Sequence, residues 1–149
     1  MKTILAAAAL ARSFGVPPTA VARGLQRLRI GDHRIQTVAE VGGVRYVDDS
    51  KATNPHAAAA SLAAFDHVVW IAGGQAKGTS FDDLVAQVAP KLRAALVLGV
   101  DRQVIADALA RHAPEVPVKV LDTGHHGAME QAVEWGASRA EPGDVGLPA

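Results

Sequence analysis

Cysteine is absent from the 149 residues, which excludes a disulfide framework and a thiolate zinc site and accords with a reducing, cytoplasmic setting. Excess charge is absent as well. Fifteen Lys and Arg residues balance fifteen Asp and Glu, and no basic run offers a footprint for nucleic acid or an anionic membrane. Aromatic residues make up only 4% of the chain, so its core must come mostly from Ala and Val, which suit helices packed closely on a buried sheet better than a sandwich of large side chains. The early apolar run, Ile4 to Leu10 behind Lys2, is too short to span a bilayer and passes into Arg12-Ser13. It therefore reads as a soluble, Ala-rich helix rather than a signal or an anchor.

What is present suffices for a globular fold, since 49% of the residues are hydrophobic. Lys2 to Phe14 reads as a helix stopped by Gly15, and Pro17-Pro18-Thr19 opens a second one running to about Leu28. In that second helix Val21, Leu25 and Leu28 recur at helical spacing, and Arg23, Arg27 and Arg29 form a solvated side. After Gly31-Asp32 the period becomes two. Ile35, Val38 and Val41 alternate with polar residues, and Gly42-Gly43 turns the chain into Val44 to Asp48, a β-hairpin.

Strand and helix patterns then alternate: His67 to Ala72 before Phe81 to Val88, Ala94 to Gly99 before Arg102 to Arg111, and Val116 to Leu121 before Ala128 to Ala140. Parallel neighbours need crossovers, and both sheet faces must then be covered. The expected architecture is α/β, a Rossmann-like, mainly parallel sheet with helices on both faces, preceded by a short helical hairpin. Glu141 to Ala149 opens like a turn into one more strand, of which only the beginning is expected. In such sheets ligands gather at the carboxyl ends of strands, which singles out the residues after Val47, Ile71, Leu98 and Leu121.

Two of those places carry chemistry. Asp48-Asp49-Ser50-Lys51-Ala52-Thr53-Asn54-Pro55 joins a strand to a helix, with Asn54 placed to cap the helix and Pro55 at its first position. The free amides of a helix start favour an anion, Lys51 adds a point charge and Thr53 a neutral hydrogen bond. Alone, the segment is equally readable as a polar turn that only caps a helix. Gly73-Gly74-Gln75-Ala76-Lys77-Gly78 follows the next buried strand. Its glycines let backbone approach a ligand, and Lys77 adds a second cation at the same sheet edge. Two lysines at neighbouring strand ends point to a dicarboxylate or a phosphate. The spacing is not that of a phosphate-binding Walker loop. His125-His126 are adjacent and have no third ligand at metal spacing, so they read as a loop. His56, His67 and His112 read as surface or capping residues, and Trp70 and Trp135 as packing residues.

Asp49-Ser50-Lys51-Ala52-Thr53-Asn54, followed about twenty residues later by Gly73-Gly74-Gln75-Ala76-Lys77-Gly78 and preceded by Gly31-Asp32-His33-Arg34, resembles the Mur ligase family of cell-wall enzymes. The first loop is similar to that of the branch that adds D-glutamate, since sister ligases carry different residues there. The resemblance implies that residues 1–32 correspond to the last helices of the family's central domain, and 33–149 to its amino-acid-binding C-terminal domain, shortened at its end. It implies that Lys51, Thr53 and Lys77 hold D-glutamate, with Lys51 also near the reacting carboxyl group, and that His33, Arg34 and Asp49 lie beside the nucleotide. The implied reaction is ATP- and Mg2+-dependent amide formation between UDP-N-acetylmuramoyl-L-alanine and D-glutamate through an acyl phosphate, by a cytoplasmic monomer. The family's phosphate loop and most of its metal ligands belong to the central domain, so these 149 residues alone are expected to be inactive. The alternatives are a non-catalytic α/β binding module of the same fold and a domain like the C-terminal part of folylpolyglutamate synthase.

Overall fold

The computed structural model describes residues 2–28, 33–76, 78–122 and 127–149. The chain divides into two compact units, Met1–Gly31 and Asp32–Ala149. In the first, α1 (Lys2–Ser13) and α2 (Pro18–Gln26) form the expected pair of helices. Gly15, at φ 79°, ends α1 in the left-handed conformation that a glycine adopts without strain. Its amide and that of Val16 donate to the carbonyls of Arg12 and Ala11, at 3.0 and 3.1 Å. The apolar stripe of α2 is present, yet none of its residues is buried, and Leu10, Phe14, Leu25 and Leu28 are exposed. Two short helices have too little surface to enclose a core.

The second unit is built on a six-stranded sheet of order β1-β2-β6-β3-β4-β5. β1 (Gln36–Val41) and β2 (Val44–Asp48) form the antiparallel hairpin. Gly42 and Gly43, at φ 60° and 79°, supply the two positive dihedrals that a tight hairpin turn needs. β1 is an edge strand with all six residues exposed, and its register slips at Val38, so the period-two pattern read there does not translate into burial. Every other pairing is parallel: β2 with β6 (Val145–Pro148), β6 with β3 (Val68–Gly73), β3 with β4 (Leu92–Leu98), and β4 with β5 (Val118–Val120). The crossovers are α3 (Pro55–Ala63), α4 (Asp82–Val88), α5 (Arg102–His112) and α6 (Ala128–Arg139).

Alternation along the strands sends side chains to both faces, as the absence of a solvated sheet face requires. Val68, Trp70 and Ala72 of β3 pack with Leu62 of α3, Val85 of α4 and Leu109 of α5. On the other face Leu96 and Leu121 meet Ala132 of α6, with Ile71, Leu98 and Trp135 partly buried around them. Helices therefore cover both faces, three on one and one on the other, and both tryptophans pack. Trp70 is 1% exposed and donates its indole N–H to the Ala149 carbonyl at 3.0 Å. Among the described residues no helix is long and apolar enough to cross a membrane.

The last segment is the main surprise. Residues 145–148 are not the fringe of a strand but the centre of the sheet, between β2 and β3. Gly146 lies against the Tyr46 ring so closely that an added Cβ would be 3.0 Å from Cδ1. Pro148, which has no N–H to give, ends the strand, and its carbonyl accepts the Asp49 amide at 3.2 Å. Just before the strand, Asp144 is 2% exposed and paired to Arg93, with Nε to Oδ2 at 3.0 Å. Burial pushes the Asp144 carboxyl up, but Arg93 and the Glu141 amide outweigh it and hold it below its ordinary value.

Candidate functional site

The loop between β2 and α3 is shaped by its own polar groups. Asn54 caps α3, its Oδ1 accepting the Ala57 amide at 2.9 Å, and Pro55 takes the first helical position. Asp48 Oδ1 accepts the Ser50 amide at 2.9 Å, and the Ala52 and Thr53 amides close small turns onto Asp49 and Lys51 at 2.8 and 2.9 Å. Asp49 faces inward at 6% exposure. One of its oxygens takes the buried Ser61 hydroxyl of α3, and the other takes the Ile35 amide at 3.1 Å.

His33 and Ile35 both have positive φ, 62° and 47°, a strained conformation for side chains other than glycine and rarest for a β-branched one. Hydrogen bonds hold them there. His33 Nδ1 lies 2.5 Å from Asp48 Oδ2, and the His33 carbonyl accepts the Lys51 amide at 3.2 Å. The His33 hydrogen bond, with help from the Ser50 amide, keeps the Asp48 carboxyl below its usual range. His33 is thus tied to the loop through Asp48 and Lys51, and Ile35 through Asp49, with Arg34 between them in the chain. His33 and Arg34 are exposed, whereas Asp49 gives both oxygens to the fold.

A crevice of about 510 Å³ opens where β2, β6, β3 and β4 end, the place the alternating pattern indicated and a volume typical of small-molecule sites. Ser50, Thr53 and Asn54 line it from the first loop, and Gly74, Gln75 and Ala76 from the second. Phe81, Ile105 and Met129 supply apolar wall, and Pro148 and Ala149 form part of the floor. Of the residues expected to hold a ligand, Thr53 lines the crevice. Lys51 is exposed on the same loop and does not line it, although its neighbours Ser50 and Ala52 do. Lys77 lies outside the described residues, as do His125 and His126. Ala76, directly before Lys77, and Thr79, two residues after it, both belong to the wall. His56 and His67 are exposed, and the exposed His112 pairs with Asp82 at 2.8 Å.

Sequence reasoning anticipated the opening of a strand at β6 but missed its central place in the sheet and its share of the crevice, because both depend on parallel pairing with distant strands. It also missed Asp101, although that residue stands three positions after Leu98, in a stretch that the strand-end rule marks.

The family model described as Mur ligase, glutamate ligase domain, matches residues 33–148. The chain belongs to the Mur ligase family. Among its relatives in that family, the UDP-N-acetylmuramoylalanine–D-glutamate ligase of Streptomyces avermitilis is 59% identical over 145 residues, which are 97% of this chain and 31% of the relative. The protein of the same description from Rhodococcus jostii is 62% identical over 145 residues, 97% of this chain and 28% of its own. The chain thus spans about a third of the length of these relatives. The crystal structure of UDP-N-acetylmuramate-alanine ligase from Thermotoga maritima superposes with a TM-score of 0.69 at 17% identity, over 97% of this chain and 32% of that one. At that identity the likeness is one of fold, and it agrees with the mainly parallel Mur ligase sheet described above.

Proposed function

We propose that this chain is the amino-acid-binding part of an ATP-dependent ligase that joins D-glutamate to UDP-N-acetylmuramoyl-L-alanine for peptidoglycan synthesis. The observation that carries this reading is the crevice at the strand ends, walled by Ser50, Ala52, Thr53 and Asn54 of the loop that also carries Lys51, and by Gly74, Gln75 and Ala76, which directly precede Lys77 in the sequence. The high identity to relatives described as D-glutamate ligases supports the choice of amino acid, and it leaves the folylpolyglutamate synthase alternative without an advocate.

In this reading Lys77 pairs with a carboxylate of D-glutamate and Thr53 adds a directed hydrogen bond, so that the amine is aimed out of the crevice. Lys51, at the rim, stabilises negative charge that develops at the reacting carboxyl group. Bound ATP with Mg2+ supplies the phosphoryl group that activates the other substrate. His33 and Arg34, exposed beside the β2–α3 loop, fit a place along the nucleotide. Asp49, turned inward, serves them by fixing the Ile35 amide between them and the loop. The protein acts in the cytoplasm as a monomer, and these 149 residues bind D-glutamate without turning it over, since no Gly-four residues-Gly-Lys-Ser/Thr phosphate loop occurs among them.

Two measurements test this. Calorimetric titration of the chain with D-glutamate is expected to show saturable binding, weakened at least about tenfold by Lys77→Ala, which removes a charge-assisted bond, and roughly two- to tenfold by Thr53→Ala, which removes a neutral one. Replacing the matching third of the Streptomyces avermitilis ligase with this chain is expected to give an enzyme that forms the D-glutamate product. A well-folded hybrid that fails to do so sinks the proposal.

A further inference from the structure

We propose that Asp101 is a positioning residue of the crevice, setting the path of the β3–α4 loop that leads into Lys77. This deepens the amino-acid-site reading and rests on it. Asp101 occupies the N-cap position of α5, where aspartate ordinarily accepts an amide of its own helix, yet it makes no such bond. Its Oδ2 instead crosses to the neighbouring loop and accepts the Ala76 amide at 2.7 Å, a short, partly buried, charge-assisted bond. Its own amide leans on the same loop, 3.4 Å from the Gly74 carbonyl.

The turn that presents Asp101 is built to touch that loop with bare backbone. Gly99 has φ 95°, and a Cβ there would sit 2.6 Å from the Gly74 nitrogen, so a side chain at 99 is barred twice over. Arg102 braces the turn from its far side. It donates to the Gly99 carbonyl at 3.0 Å and pairs with Asp122, at the end of β5, at 3.3 Å. The ends of β5, β4 and β3 are thereby linked through Asp122, Arg102, Gly99 and Asp101 to Ala76. Asp101 itself does not line the crevice, whereas Gly74, Gln75 and Ala76 do. It therefore acts through the loop. A segment opening Gly73-Gly74 has wide backbone freedom, and pinning Ala76 removes that freedom next to Lys77 before any ligand arrives.

The test uses the 149-residue chain with Asp101→Ala and Asp101→Asn, read by amide hydrogen exchange at Ala76, by D-glutamate titration and by urea unfolding. Asp101→Ala is expected to speed Ala76 exchange by about 10- to 100-fold, the range set by losing a hydrogen bond to a charged acceptor. It is also expected to weaken D-glutamate binding about tenfold while amides in β3 and β4 keep their protection. Asp101→Asn, which keeps a neutral acceptor, restores most of both. Unchanged Ala76 exchange in Asp101→Ala overturns the proposal, and so does faster exchange with wild-type affinity. If Asp101→Ala does not fold, Asp101→Ser, whose shorter and neutral side chain is a poorer acceptor for the Ala76 amide, decides, with exchange indistinguishable from wild type counting against the clamp. Wild-type chain that takes up no D-glutamate refutes the amino-acid reading on its own, and Ala76 exchange then decides the clamp alone.

Discussion

Removing the Ser61 hydroxyl tests whether the inward-facing Asp49 organises the β2–α3 loop. Ser61 is 3% exposed and Asp49 6%, so neither can turn to bulk water when its partner is lost. Ser61→Ala adds no volume and deletes one donor, which leaves a carboxylate oxygen buried without its hydrogen bond. Bonds to charged groups contribute about 1.5–3 kcal/mol, so the expected loss is about 2 kcal/mol, or roughly 4–8 °C in Tm for a chain of this size. Asp49→Ala removes the acceptor from two donors at once. One of these, the Ile35 amide, belongs to a half-exposed residue and recovers a water, so most of the penalty falls on Ser61. The two losses therefore overlap, and a double-mutant cycle measured by urea unfolding should give a coupling of about 1–2 kcal/mol. Ile35 should relax from its positive φ in Asp49→Ala, which removes the acceptor of its amide, while His33, held by Asp48 and the Lys51 amide, keeps its conformation. A Ser61→Ala protein within about 0.5 kcal/mol of wild type, the scatter of ordinary surface changes, or strict additivity in the cycle, would refute the argument.

Two further perturbations probe the central strand. Gly146→Ala places a methyl 3.0 Å from the Tyr46 ring and should cost about 1–3 kcal/mol in urea unfolding, with Tyr46→Leu recovering most of it in the double variant; a single variant as stable as wild type contradicts the packing. Because the Asp144 carboxyl is held below its ordinary 3.8, the stability it contributes is present above that pH and is lost as pH falls through its lowered folded-state value. Arg93→Gln removes the main lowering cause, so acid unfolding should begin at a higher pH than in wild type, and coincident acid limbs would show that the pair does not matter.

Local patterns were enough to read most of the frame. Asn54 and Pro55 start α3 because a short polar acceptor and a fixed φ are what a helix start needs, whatever surrounds it. Gly42-Gly43 makes the hairpin because only glycine adopts two successive positive φ values without strain. Strand–helix alternation requires crossovers, and crossovers place the Asp48–Asn54 and Gly73–Ala76 segments at the same sheet edge. The family likeness is likewise carried by letters in those loops.

What the sequence did not reveal are choices among partners far apart in the chain. Nothing in Val145-Gly146-Leu147-Pro148 announces the middle of a sheet. It becomes so because two parallel neighbours leave a slot only glycine can share with Tyr46, and because Trp70 reaches a carbonyl 79 residues away. Asp49 and Asp101 look equally like ligands or caps in one dimension. In three, each is within reach of a donor on another element, and the carboxylate goes to the donor that would otherwise be left unpaired. Periodicity and turn chemistry act over a few residues and are written in the sequence, whereas strand order and the direction of a polar side chain depend on which groups are buried together, and only the folded chain decides that.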